Sequence, residues 1–241
     1  MVGLSGVNAW GDAMEDSGRR LGLIAARPGR GARGRYIRGS WEATMRAWAG
    51  AAAMIAMAGA GWAEGTEAMT RKGYERPPYA VEVAEGAREV RAYGPRVVAE
   101  VTVRGDRKAA VNTGFGLLAG YIFGGNDGGG KIAMTVPVEQ ADQGAGLWTV
   151  RFTMPQAAVA AGLPAPKDGR IVLREMAPAR MVVEGFSGMP DSEDMAARAA
   201  ALRDWAEGRG LKVGDGPVYS FYDAPWTPAS ARLNEVAWEL R

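Results

Sequence analysis

One stretch limits the fold of this chain more than any other: Phe123-Gly124-Gly125-Asn126-Asp127-Gly128-Gly129-Gly130-Lys131-Ile132-Ala133-Met134-Thr135-Val136-Pro137-Val138. An apolar, helix-like segment runs into a turn packed with glycine, which feeds an apolar strand interrupted by a proline. Glycine is selected where the backbone needs positive φ or where no side chain fits. Two structures satisfy that condition, a loop that cradles phosphate or a tight helix-to-strand connection beside a buried pocket. The spacing Gly125…Gly130-Lys131 reproduces part of a phosphate loop, but Ile132 stands where the Mg²⁺-binding hydroxyl belongs. The elements also come in reverse order, helix first and strand second, so no helix N-terminus is offered to an anion. A turn is the better reading.

Alternating apolar and polar residues flank this turn on both sides. Tyr79–Val83, Ala87–Arg91 and Arg96–Arg104 read as half-buried strands, with Tyr93-Gly94-Pro95 as a turn between the last two. Asp106 is placed to cap a helix in which Val111, Phe115, Leu118 and Ile122 share one face. Gly114, Gly116 and Gly120 lower the propensity of that helix, so close packing or a ligand must compensate. Strands Lys131–Glu139 and Leu147–Met154 follow. The second half repeats the order: strands Ile171–Glu175 and Arg180–Phe186, joined through Ala177-Pro178, precede a helix that starts at Pro190–Asp194. Met195, Ala199, Leu202 and Ala206 line that helix, and strands Pro217–Tyr222 and Asn234–Leu240 close the chain. The two β-β-α-β-β units begin roughly 85 residues apart, too far for a solenoid period. They predict one α+β domain with an antiparallel sheet, built from two pseudo-symmetric halves, each giving one helix.

Composition removes most chemistry. The chain has no cysteine and no histidine. Disulfides, thiolate sites, the usual general base, the usual zinc ligand and the usual proximal haem ligand are therefore excluded. Asp127, Glu139, Asp223 and Glu235 lie near loops without forming a recognisable catalytic pair, and no serine sits in a nucleophile elbow. No enzyme is expected.

Charge and hydropathy divide the N-terminal part from the rest. Residues 1–63 hold eight of the 29 basic residues and four of the 27 acidic ones, which leaves 21 against 23 for the remainder. A slightly acidic globular part argues against nucleic acid. Residues 1–44, rich in Gly and Arg, read as a disordered or mis-assigned leader. Residues 45–63 read as a signal peptide, with a positive start, a short apolar run and small residues before Glu64. Export to the periplasm is expected, with no stable membrane span after cleavage; membrane anchoring and a cytoplasmic location are the alternatives.

The segments Arg88–Pro95, Gly124–Asp127 with Lys131–Val138, Val150–Pro155, Phe186–Gly188, and Tyr222–Pro228 with Asn234–Val236 together resemble the SOUL haem-binding protein family. The resemblance covers the domain at 74–241. It implies a distorted antiparallel β-barrel with two flanking helices, and a haem or related tetrapyrrole held in an apolar groove along the first helix. On that reading Phe115, Leu118, Ala119 and Ile122 face the ring. Lys131, Arg107 and Lys108 are candidates for its propionates. Without histidine, Met134 or a tyrosine among Tyr121, Tyr219 and Tyr222 is the candidate iron ligand. Trp226, between prolines in Ala224-Pro225-Trp226-Thr227-Pro228, is a lid over the groove or a plug of the barrel. The expected function is a non-catalytic, monomeric tetrapyrrole carrier whose partner is the small hydrophobic ligand. The alternative is a small-molecule sensor or interaction module of the same fold that has lost haem.

Overall fold

The computed structural model describes residues 69–241, so the expected leader and signal-like segment lie outside the described residues. A two-stranded ribbon comes first, β1 (Thr70–Arg71) with β2 (Tyr74–Glu75). The main sheet holds β3 (Tyr79–Glu85), β4 (Arg88–Tyr93), β5 (Arg96–Arg104), β6 (Val138–Asp142), β7 (Leu147–Thr153), β8 (Val172–Met176), β9 (Ala179–Phe186), β10 (Val218–Phe221) and β11 (Asn234–Glu239). Helix α1 (Arg107–Ile122) follows β5, the short α2 (Gln156–Ala161) follows β7, and α3 (Ser192–Glu207) follows β9. Strand order across the sheet is β3-β4-β9-β11-β10-β6-β7-β5-β8, antiparallel throughout.

Two short links force this sheet to curl. Gly94-Pro95 joins β4 to β5, which lie six places apart in the strand order, and Ala177-Pro178 joins β8 to β9, also six apart. Six inter-strand spacings in a flat sheet cover about 29 Å. A two-residue link spans at most about 11 Å between the flanking Cα atoms. Only a rolled sheet reconciles the two lengths, and the product is a half-barrel. The α+β class, the barrel-like antiparallel sheet and the two flanking helices are as the sequence predicts. Connectivity is alike in the two units; a geometric two-fold between them stays an expectation.

Both long helices cover the same face of the sheet. Asp106 caps α1 by accepting from Ala109 N, and Asp191 caps α3 by accepting from Glu193 N and Asp194 N. Leu118 and Ile122 of α1 are 0% and 1% exposed, packed with Ala99, Val101, Val150 and Phe152 of β5 and β7. Met195, Ala199, Leu202 and Ala206 of α3 pack with Val182, Tyr219, Val236 and Trp238, and Trp238 Nε1 donates to Ala199 O at 2.8 Å. Gly114 explains how the glycine-weakened α1 holds. A Cβ built there would lie 2.7 Å from Val150 Cγ2, so the helix sits directly on β7. Among the described residues no helix is long and apolar enough to cross a membrane.

The glycine turn is a connection, with most of its polar groups spent on the chain itself and the buried Asn126 Oδ1 left without a partner. Gly125 N donates to Gly120 O at 2.8 Å, and a Cβ at Gly125 would lie 2.6 Å from that carbonyl oxygen. The buried Asn126 donates through Nδ2 to Tyr121 O at 2.9 Å and to Gly130 O at 2.8 Å. The strand expected over Lys131–Glu139 forms only from Val138. Before it, Ile132 N returns to Ile122 O and Val136 N to Glu75 O, with a single bridge at Thr135. These residues close the turn, and so they cannot run in the sheet ladder.

Edge strand β3 is interrupted by a register shift between Val81 and Val83, and Glu82 pairs with Arg180 at 2.6 Å.

Replacing Gly114 by Ala overpacks the α1–β7 contact and is expected to cost about 1–3 kcal/mol, or roughly 2–4 °C of melting temperature per kcal/mol. Gly116→Ala, where a Cβ meets nothing within 4 Å, is expected to raise stability by about 0.5–1 kcal/mol. Thermal melts of the two variants check this; equal effects would contradict the packing assigned to Gly114.

Candidate functional site

Alternation within the strands sends one set of side chains to the helices and the other into the rolled face. On β11, Val236 and Trp238 pack on α3, while Glu235 and Ala237 point the other way. On β4 the inward set is Glu89, Arg91 and Tyr93. The curl brings these beside Glu235, Tyr222 and Tyr79, and a polar network results. Arg91, 6% exposed, donates to Glu235 Oε1 at 3.0 Å, to Glu89 Oε2 at 2.6 Å and to Tyr93 OH at 3.3 Å. Tyr222 OH donates to Glu235 Oε2 at 2.6 Å, which satisfies both oxygens of a carboxylate that is 4% exposed. The Arg91 guanidinium also stacks 4.2 Å from the Tyr79 ring centroid. A buried ion pair survives only with its remaining hydrogen bonds filled, and this one has them filled.

Protonation follows from burial. Burial pushes the Tyr222 phenol well above its usual value, and the Glu235 charge adds to that. Tyr93 is pushed up to about 12, by burial first, with Arg91 opposing and Glu235 adding to the rise. Both phenols are donors at neutral pH. A second network on the same face sets Glu100 between Arg151 at 2.8 Å and Arg174 at 2.6 Å. Burial raises the Glu100 carboxyl, but the two arginines outweigh it and hold it below the usual range.

Two cavities open on this face. One, narrow and of about 30 Å³, lies among Tyr93, Arg96, Glu139, Ser220, Tyr222 and Glu235. Arg96 is 3.8 Å from Glu139, and its Nε and Nη1 are buried without a hydrogen-bond partner. The other is an open groove of about 390 Å³, which shares Tyr79 and Glu235 with the first and is bounded by Arg76, Arg91, Arg232 and Phe186. Above it, the fully buried Asp223 carboxylate takes Arg71 at 2.8 Å, Lys72 at 2.6 Å and Leu233 N at 2.7 Å. That clamp ties the β1–β2 ribbon to the loop after β10.

The residues expected at the site are dispersed. Leu118 and Ile122 are interior to the core between α1 and the sheet, Ala119 is buried, and Phe115 meets Phe152 edge-on at 5.4 Å. Met134 is half-buried against the same core, and Lys131 and Lys108 are exposed. Arg107 donates to Gln140 Oε1 at 2.8 Å, with burial lowering its pKa. Tyr222 lines the narrow cavity, whereas Trp226 is 54% exposed on the loop after it. Of the tyrosines, Tyr121 donates to Pro164 O at 2.9 Å and Tyr222 to Glu235; burial raises the pKa of both and of Tyr219. Sequence reading passed over Arg76, Arg91, Tyr79 and Tyr93. The available signal was Glu235, a charge beside the apolar run Val236-Ala237-Trp238 of β11.

Residues 74–239 match the sequence profile described as SOUL heme-binding protein. No curated protein sequence matches the chain. Among solved structures, the EcmrR C-terminal domain is 14% identical, with 64% of this chain and 96% of that one covered at a TM-score of 0.48. A hydrolase from Listeria innocua is 13% identical, with 66% and 94% covered at 0.44. SAV2435 bound to tetraphenylphosphonium is 10% identical, with 64% and 93% covered at 0.39. Likenesses this distant carry no functional argument.

Two outcomes are expected of the polar network. Glu235→Gln leaves Arg91 and Tyr222 short of a buried charge and costs about 3–5 kcal/mol in denaturant unfolding. In an alkaline titration, Tyr93 has its folded value above the unfolded value of about 10, so its contribution is intact below pH ~10. It is lost as the pH climbs toward about 12. Phenolate absorbance and melting temperature followed together check this; complete tyrosine ionisation near pH 10 in the folded protein would refute it.

Proposed function

The chain belongs to the SOUL heme-binding protein family, and from that premise we propose that it binds and carries a haem or related tetrapyrrole without catalysing a reaction on it. The observation that carries this reading is the match over residues 74–239, which runs from β2 to the end of β11. The signal-like segment at 45–63 is the basis for proposing that it does so after export, as a monomer in the periplasm.

We propose further that iron coordination by the protein is not what holds the ligand. The sequence has no histidine. The hydroxyls of Tyr121 and Tyr222 are engaged by Pro164 O and Glu235, and burial disfavours the tyrosinate that would ligate iron. Affinity then rests on covering the faces of the macrocycle and on partners for its carboxylates. Seating the ring against Phe115, Leu118, Ala119 and Ile122 requires α1 to lift from β5 and β7. That uncovers large apolar side chains at about 1.5–3 kcal/mol each. The open groove of about 390 Å³ on the rolled face needs no such movement.

Titration of the full chain with haemin, followed by the Soret band, is expected to saturate near one haemin per chain. Met134→Ala is expected to leave the spectrum unchanged, and an altered spin state would make Met134 a ligand. No Soret shift at micromolar haemin overturns the carrier reading and favours a sensor or interaction module of the same fold.

A further inference from the structure

Three guanidiniums, Arg76, Arg91 and Arg232, border the 390 Å³ groove against two carboxylates, Glu89 and Glu235. Arg91 is committed to both carboxylates. Arg232 is committed to backbone, donating through Nε to Thr227 O at 2.8 Å and through Nη2 to Pro225 O. Arg76 differs. Its guanidinium donates through Nη2 to the Tyr79 hydroxyl at 3.1 Å, its Nε is buried without a partner, and no carboxylate lies within ion-pair distance among the described residues. Burial opposes the Arg76 charge, but the rings of Tyr222 and Tyr79 and the nearby Glu235 carboxylate outweigh it and raise its pKa; Glu235 acts at a distance, its two oxygens accepting from Arg91 and Tyr222. The Arg76 guanidinium is instead held over two rings, 5.5 Å from the Tyr79 centroid and 5.0 Å from that of Tyr222.

The charge is therefore supported, but the buried Nε–H is a donor without an acceptor, and such a donor favours an incoming oxygen. The groove also has apolar material where a ligand's body would lie. Phe186 and Leu233 line it. Beyond them Trp226 stands exposed on the loop that Arg232 holds at the carbonyls of Pro225 and Thr227. Met189 is exposed on the neighbouring loop, joined to the first through Gly188 N to Ala229 O at 2.9 Å. A cationic group sharing one groove with an aromatic ring and an aliphatic side chain suits a planar apolar acid.

We propose that this groove, and not the face of α1, receives the ligand, with Arg76 pairing a carboxylate of a planar apolar acid and Trp226 covering its body. The inference rests on the tetrapyrrole reading, in which that carboxylate is a propionate. Arg76 supplies a charge-assisted hydrogen bond, bidentate where Nε and Nη2 both engage. Arg91 contributes by holding Tyr79 and Glu235, the walls on which Arg76 rests.

The test compares haemin with haemin dimethyl ester, which keeps the ring and removes the charge. The full chain is expected to bind the acid at least about tenfold more tightly than the ester, the ratio that loss of one charge-assisted hydrogen bond gives. Arg76→Gln is expected to lose that factor for the acid and leave the ester unchanged, with Arg76→Lys recovering part of it. Equal affinity of the wild-type chain for acid and ester overturns the groove while leaving tetrapyrrole binding in place, as does an equal loss for both ligands in Arg76→Gln. Binding of neither removes the tetrapyrrole reading itself. If Arg76→Gln does not fold, the acid-to-ester ratio of the wild-type chain decides alone.

Discussion

Two links of two residues each, Gly94-Pro95 and Ala177-Pro178, set the terms for everything else in this structure. Each joins strands six places apart, and no flat sheet can accommodate both. Rolling the sheet has an electrostatic consequence. The face turned inward is the one that alternation would otherwise leave in water, so its arginines and glutamates lose solvent together. They must then satisfy one another. The Arg91–Glu235–Tyr222 network is the local answer, and Glu100 between Arg151 and Arg174 is the answer on the other side.

The two faces therefore have different work. Opposite the polar interior, α1 and α3 close apolar cores with ordinary close packing, and they supply the stability. Charged networks of the inward kind add little net free energy relative to apolar residues of the same volume. What they add is geometry, since each arginine fork fixes its acceptors in direction as well as distance. A ligand meeting this face meets preset positions for charge.

Sequence reading captured what local chemistry specifies. Strands β5, β7, β9 and β11 show their alternation, Asp106 announces its helix as a cap, and the cluster Pro190–Asp194 marks the start of the other, where Asp191 is the cap. It did not capture what distant parts of the chain bring together. Arg91 and Glu235 are 144 residues apart, and in β4 the pattern Glu89-Val90-Arg91 is indistinguishable from a strand with one face in solvent. The apolar stripe of α1 shows a second limit. Periodicity identifies Leu118 and Ile122 as one face of a helix, yet a face against a core and a face against a ring have the same period. Lys131–Pro137 reads as a strand on the β-branched Ile132, Thr135 and Val136; only the bonds from Ile132 N and Val136 N to Ile122 and Glu75 assign that backbone to the return from the helix.

The half-barrel rolls without closing, and β3 and β8 are left with one unpaired side each. Such edges invite pairing between molecules. On β3 the slip between Val81 and Val83 breaks the row of donors and acceptors, and the Glu82–Arg180 pair sits on the same stretch. An approaching strand finds no continuous ladder to extend and a charge pair to dehydrate first. The exposed valines alone would mark this edge as adhesive in a crowded solution; the misaligned backbone beside them is what resists growth of the sheet from one molecule into the next.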